Sequence, residues 1–232
     1  MPKRKLPKKE LTTPDEFISF TSRAFSFVKE RRKPLSYAAG GLLLLAFAWW
    51  AWQKYQQRYE AQAAMQLDRA SQVLASFSGS PSPDQKAKVE EGVTLLNSLV
   101  AQYPRSRSLA PALLYLGNAH YRLGQYDQAI FTYQKLVSMP KLDPGLRALV
   151  QNALAYAHLA KNDYGTAANY FTQVGSSPAQ FLKEQALFNQ AQAYEKANNR
   201  EKAVQAYRQI IIEFPTTPRA GLARQRIAEL KD

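Results

Sequence analysis

Between Lys33 and Lys54 the chain carries no charged residue: Pro34 to Gln53, PLSYAAGGLLLLAFAWWAWQ, is an uncharged run of twenty residues. At a helical rise of about 1.5 Å per residue it would reach roughly 30 Å, the thickness of bilayer hydrocarbon. The run therefore reads as a membrane-spanning helix. Its ends fit that reading, with Trp49, Trp50, Trp52 and Tyr55 grouped as an interfacial aromatic belt and Arg31, Arg32 and Lys33 closing the other side. A cleaved signal peptide is the rival, since Ala61-Gln62-Ala63 has the small residues of a cleavage site. The run exceeds the usual signal core of about 7 to 15 residues, and that site lies well beyond it in a helical pattern, so an uncleaved anchor is expected.

Charge sets the expected orientation. Before the run stand ten basic residues against four acidic ones, whereas the twenty residues after it offer only Lys54, Arg58 and Arg69 as basic groups. By the positive-inside rule the N-terminus lies in the cytoplasm and the long C-terminal part outside, which in a bacterium is the periplasm. The net charge of the whole chain is +13, but past the run the excess is spread thinly with no block of like charge, which gives a nucleic-acid partner no support. The absence of cysteine excludes disulfides, thiolate metal sites, thiol catalysis and a lipid-modified N-terminal cysteine.

Residues 1–33 read as a basic cytoplasmic tail with a short amphipathic helix. Thr13, Pro14 and Glu16 form its start signal, and Phe17, Phe20, Ala24, Phe27 and Val28 one apolar face with Phe25 nearby. That helix would lie in the inner headgroup layer or dock on a cytoplasmic partner. Pro34 separates it from the span, residues 34–53. Residues 54–84 read as a helical stalk and loop: Lys54 to Phe77 lacks Gly and Pro and places Met65, Leu67, Ala70, Val73, Leu74 and Phe77 along an apolar side, and Ser76 to Asp84 is a loop with Asp84 as a candidate cap.

Beyond residue 85 the chain repeats itself. Ala110 to Pro140 places Leu113, Leu116, Gly117 and His120 on a first helix and Ala129, Tyr133 and Leu136 on a second. Leu149 to Pro178 returns the pattern with Leu154, Ala155, His158, Ala167, Phe171 and Val174. Gln185 to Pro215 returns it with Leu187, Ala191, Tyr194, Ala203, Tyr207 and Ile210, and Gly92, Leu96, Leu99 and Pro104 fit the second helix of a degenerate first unit. Small residues at 92, 129, 167 and 203 recur at intervals of 37, 38 and 36. Antiparallel helices approach closely only where such residues face each other. Pro218 to Asp232 reads as a polar-faced capping helix. His120 and His158 share one repeat slot, but no carboxylate recurs beside them with ligand spacing, so no metal is expected. With no Ser/His/Asp set, no glycine-rich phosphate loop and no acidic pair in a cleft, neither a cofactor nor an enzyme is expected.

These residues resemble the tetratricopeptide repeat, and the expected fold class is all-α, one transmembrane helix followed by a tetratricopeptide-repeat α-solenoid, with the repeats and capping helix at 85–232. The resemblance implies a groove lined by the first helices: Leu114, Asn118 and Tyr121; Asn152, Tyr156 and Leu159; Phe188, Gln192 and Glu195. Such a surface suits an extended or helical peptide. Leu114 stands where the carboxylate clamp of some family members has a lysine. The architecture resembles the YfgM-like bacterial inner-membrane proteins, which implies an accessory of the Sec translocon that meets exported chains and periplasmic chaperones. The C-terminal repeats are also similar to those of outer-membrane assembly lipoproteins and cell-division coordinators, and a structural scaffold is the alternative. Ala38, Ala39, Gly40 and Gly41 offer a small-residue patch for self-association within the membrane.

Overall fold

The computed structural model describes residues 25, 27, 29, 31–75, 82–178 and 180–230. The expected tail and most of the amphipathic helix, with Phe17 and Phe20, lie outside the described residues, as do Ser76 to Pro81 with Phe77. Among the described residues there are nine α-helices, one short 3-10 helix and no strand. The chain divides after Gln57 into two units, Met1–Gln57 and Arg58–Asp232.

Helix α1, Arg32–Ala75, begins with Pro34 in its first turn, where a missing N–H leaves no intrahelical bond unmade. In the first unit this helix is long and apolar enough to cross a membrane, and none of its most apolar window is buried. Leu42, Leu43, Leu44, Leu45 and Phe47 are all exposed, and Trp49 and Trp52 lie one turn apart with ring centroids 5.4 Å apart and planes tilted by 41°.

The second unit is built from helix pairs. Residues 58–75 of α1 pair with α2, Pro83–Gln102; α3, Leu109–Arg122, pairs with α4, Tyr126–Val137; α5, Pro144–Ala160, with α6, Tyr164–Gly175; and α7, Lys183–Lys196, with α8, Arg200–Glu213. Helix α9, Pro218–Glu229, closes the array. The segment read from sequence as a stalk is thus the first helix of the first pair. Ala63, Ala70 and Leu74 are buried, and Ala70 and Leu74 share a core with Val89, Leu96 and Leu99 of α2 and Ala112, Leu116 and Ala119 of α3. Met65, expected on the packed side, is exposed. Helix α2 is capped two residues before the expected position: Ser82 N–H donates to Gln85 Oε1 (3.0 Å), with Pro83 at the first helical position, so Asp84 lies inside the helix.

Small residues set the spacing inside each pair. Ala129, Ala167 and Ala203 are fully buried, and a Cβ added to Gly92 would lie 2.7 Å from Leu74 Cδ2. At Gly117 the fit is tighter still, because a Cβ would lie 2.6 Å from Cδ1 of Tyr133, whose ring is fully buried and whose hydroxyl donates to Asn118 Oδ1 at 2.6 Å. The turns α3–α4, α5–α6 and α7–α8 reuse one device. Gly124, Asn162 and Asn198 take the left-handed conformation that favours these two residue types (φ 72°, 60° and 57°). The next N–H then closes the turn on a carbonyl five residues back: Gln125 on His120, Asp163 on His158, Asn199 on Tyr194.

Two glycine substitutions separate packing from propensity. Gly117→Ala is expected to lower the unfolding free energy of the full chain by about 1–3 kcal/mol, because the Tyr133 ring is pinned and cannot yield. Gly165→Ala, in a helix with nothing within 4 Å of the new Cβ, is expected to raise it by about 0.5–1 kcal/mol. Urea unfolding followed by far-UV circular dichroism reads both.

Candidate functional site: the first-helix face and its seams

The first helices α3, α5 and α7 carry the nine expected groove residues at helical spacing. Leu114 and Tyr121 rest half-buried against the core shared by α3, α4 and α5, and the Tyr121 ring lies 5.4 Å from that of Tyr126. Asn118 is tied to Tyr133 as described. On α5, Leu159 and Tyr156 pack on the next core, Tyr156 edge-on to Phe171 with centroids 5.4 Å apart. The Tyr156 hydroxyl accepts from Gln185 Nε2 (3.0 Å) and Asn189 Nδ2 (2.7 Å) on α7. It therefore joins two successive first helices. Asn152 is half-buried with its Oδ1 out of contact with any donor. On α7, Phe188 packs edge-on to Tyr207, Gln192 is exposed, and Glu195 pairs through both carboxylate oxygens with the Arg226 guanidinium of α9.

The face is thus a row of apolar and aromatic side chains whose polar atoms mostly hold neighbouring helices in register. Two further groups belong to it that the repeat pattern in the sequence did not single out. Gln185 and Asn189 fix Tyr156, and Arg226 fixes Glu195; a slot-by-slot reading misses them because their partners lie in the next repeat. At the end of the row, the Tyr207 hydroxyl is buried beside the Glu195–Arg226 pair. Burial, and then the Glu195 carboxylate, push its ionisation far above the ordinary tyrosine range. Glu195 and the added bonds in turn hold the Arg226 guanidinium protonated well above its usual value.

At the near end, the face meets a cavity of about 270 Å³ between α1 and α3, lined by Leu74, Ala75, Tyr115, Asn118, Ala119 and Arg122 among others. Arg122 Nη1 donates to the Leu74 carbonyl (3.2 Å), which satisfies one of the last carbonyls of α1 with a cation at the favourable end of the helix dipole.

The two histidines serve the turns. His120 Nδ1 lies 2.7 Å from Gln125 Oε1 and His158 Nδ1 2.9 Å from Asp163 Oδ2, each at the start of its own second helix. Among the described residues no three His, Cys, Asp or Glu side chains are grouped to hold a metal ion.

Burial alone would raise the Asp163 carboxyl, but the hydrogen bonds from Thr166 and His158 outweigh it and hold it below its ordinary 3.8. A depressed folded-state value means that its contribution to stability is full above pH of about 4 and is lost as pH falls through the folded value. Asp163→Asn is expected to flatten the acid limb of the stability profile below about pH 4 while leaving the neutral limb parallel to the parent. In the same urea assay, Tyr156→Phe is expected to cost about 1–2 kcal/mol through two orphaned donors, with helix content unchanged.

Residues 110–139 and 185–217 each match the tetratricopeptide repeat. No curated protein matches the chain in a sequence search. Among solved structures, the chain is similar to kinesin light chain TPR-like repeats from Podosopora anserina, at 21% identity and a TM-score of 0.56 over 74% of this chain and 86% of that one. It is also similar to a tetratricopeptide repeat protein from Parabacteroides merdae, at 14% identity and a TM-score of 0.59 over 73% of this chain and 60% of that one. At such identities the likeness is one of fold. The chain therefore carries tetratricopeptide repeats at residues 110–139 and 185–217, within an all-helical, TPR-like solenoid.

Proposed function

We propose that this chain is a single-pass inner-membrane protein whose repeats stand in the periplasm as a protein-interaction scaffold, serving protein export as an adaptor or chaperone-like accessory. The helix over residues 34–53 is the tether, the basic N-terminal side stays in the cytoplasm, and the first-helix face receives peptide segments of exported chains, translocon subunits or periplasmic chaperones. One observation carries this reading: an uncharged run with every large apolar side chain exposed precedes a unit built from tetratricopeptide repeats. Exposed apolar surface on that scale needs a lipid or protein neighbour, and tetratricopeptide repeats are interaction modules.

A second reading has its own support. Asn118, Tyr156 and Glu195 already spend their polar atoms inside the unit, which suits a structural scaffold of another envelope complex that docks through the second helices or the α1 segment. Placement of a photoactivatable phenylalanine analogue in the full chain separates the two. At Gln192, exposed on the first-helix face, crosslinks to translocon subunits or exported chains are expected. Adducts formed only from Ile212, exposed on α8, and only with a different envelope complex, would overturn the export role.

A further inference from the structure

A second cavity, of about 420 Å³, lies away from the first-helix face, between the second helices α2 and α4 and above α3. Asn97 and Val100 form one wall, Asp127, Gln128, Phe131, Thr132 and Lys135 the other, and Leu113, Leu116 and His120 the floor. The same seam recurs along the array, and there it is filled. In the next repeat the place of Thr132 is taken by Tyr170, whose ring stacks on His158 (centroids 5.5 Å apart, planes 24° from parallel) and packs against the cores on both sides. In the repeat after that, Ala206 stands in the Thr132 slot and Tyr194 in the histidine slot, with Lys202 over the Tyr194 ring at 5.5 Å. Each later seam therefore holds one tyrosine. The first holds none: His120 faces Thr132, and the space that an aromatic ring occupies elsewhere is empty.

The rim differs in the same direction. Phe131 is 71% exposed at a position where the other two repeats carry Asn169 and Gln205. An exposed phenylalanine beside a missing tyrosine is a surface short of one aromatic partner. Charge narrows the occupant further. Asp127 is paired with Lys161, whereas Lys135 has no ion-pair partner among the described residues and stands where the later repeats carry Gln173 and Gln209. The free charge at the mouth is positive.

We infer that this seam is a docking site for a tyrosine or phenylalanine side chain of another polypeptide, flanked by acidic residues. The guest ring stacks on His120 as Tyr170 stacks on His158, its outer edge meets Phe131, and a neighbouring carboxylate meets Lys135. The site rests on the reading of the repeats as an interaction scaffold, but neither on the first-helix face nor on the membrane tether.

The test uses the full chain in detergent micelles and dye-labelled, end-capped peptides, Gly/Ser-based, with one central tyrosine between two glutamates. Fluorescence polarisation is expected to show saturable binding that falls at least tenfold when the tyrosine is replaced by leucine, or the glutamates by lysine. Thr132→Tyr, which supplies the missing ring from within, is expected to weaken the peptide at least tenfold while its melting temperature holds or rises. Phe131→Ala, at an exposed position that leaves the fold alone, is expected to weaken it similarly. Equal binding by the leucine peptide, undiminished binding by both variants, or binding lost on Gln192→Arg but not on Thr132→Tyr would overturn the site. The crosslinking test of the export role is unaffected by any of these results.

Discussion

The contact on which the repeat unit depends is the notch at Gly117, into which the Tyr133 ring fits with no room for a Cβ. It brings α3 and α4 close enough for their apolar faces to exclude water, and the fully buried Ala155 and Ala191 stand at the Gly117 position in the next two pairs. Everything built on the pairs inherits that spacing. The left-handed turn residues Gly124, Asn162 and Asn198 then return each chain over its own first helix, and His120, His158 and Tyr194 sit at the matching position beneath them.

Close pairing settles what remains between pairs, and that is where the chain varies. Between first helices, Tyr156 spans to Gln185 and Asn189, and Glu195 to Arg226, so neighbouring repeats are held by directional bonds in addition to apolar area. The half-buried amides of Gln185 and Asn189 are expensive to leave unpaired, whereas the exposed Arg226 guanidinium keeps its access to water. Between second helices, the filling is a single aromatic ring per seam, supplied by Tyr170 or by Tyr194, and lacking beside His120. A solenoid in which each repeat touches only its neighbours tolerates such a local deficit, since the stability of the rest is a sum over adjacent pairs.

Much of this was legible in the residues. The small-residue slots at 92, 129, 167 and 203 and the large residues around them give the helix pairs directly, because a close approach and a filled core leave a periodic trace. The first helix of the first pair was not legible as such. Its partner Gly92 was visible and Ala70 and Leu74 stood on an apolar side expected to pack, but the alanine- and glutamine-rich stretch lacks the large residues that mark the first helices of the later repeats. Met65 shows the converse limit: a large apolar residue in a helix is read as core by default, and only the structure reveals that it is exposed. The expected groove residues do share one face, yet their hydrogen-bond partners come from the following repeat, and spacing within one repeat carries no record of them.

The proposed tether at 34–53 would hold this interaction unit within reach of a membrane. The most direct measurement of that account exploits the absence of cysteine. Single cysteines at Lys5 and at Lys141, an exposed loop position, can each be probed in bacterial spheroplasts with a membrane-impermeant maleimide. The account requires Lys141→Cys to label in intact spheroplasts and Lys5→Cys to label only after the membrane is permeabilised. The reverse pattern, or recovery of the intact chain in the soluble fraction, would contradict it.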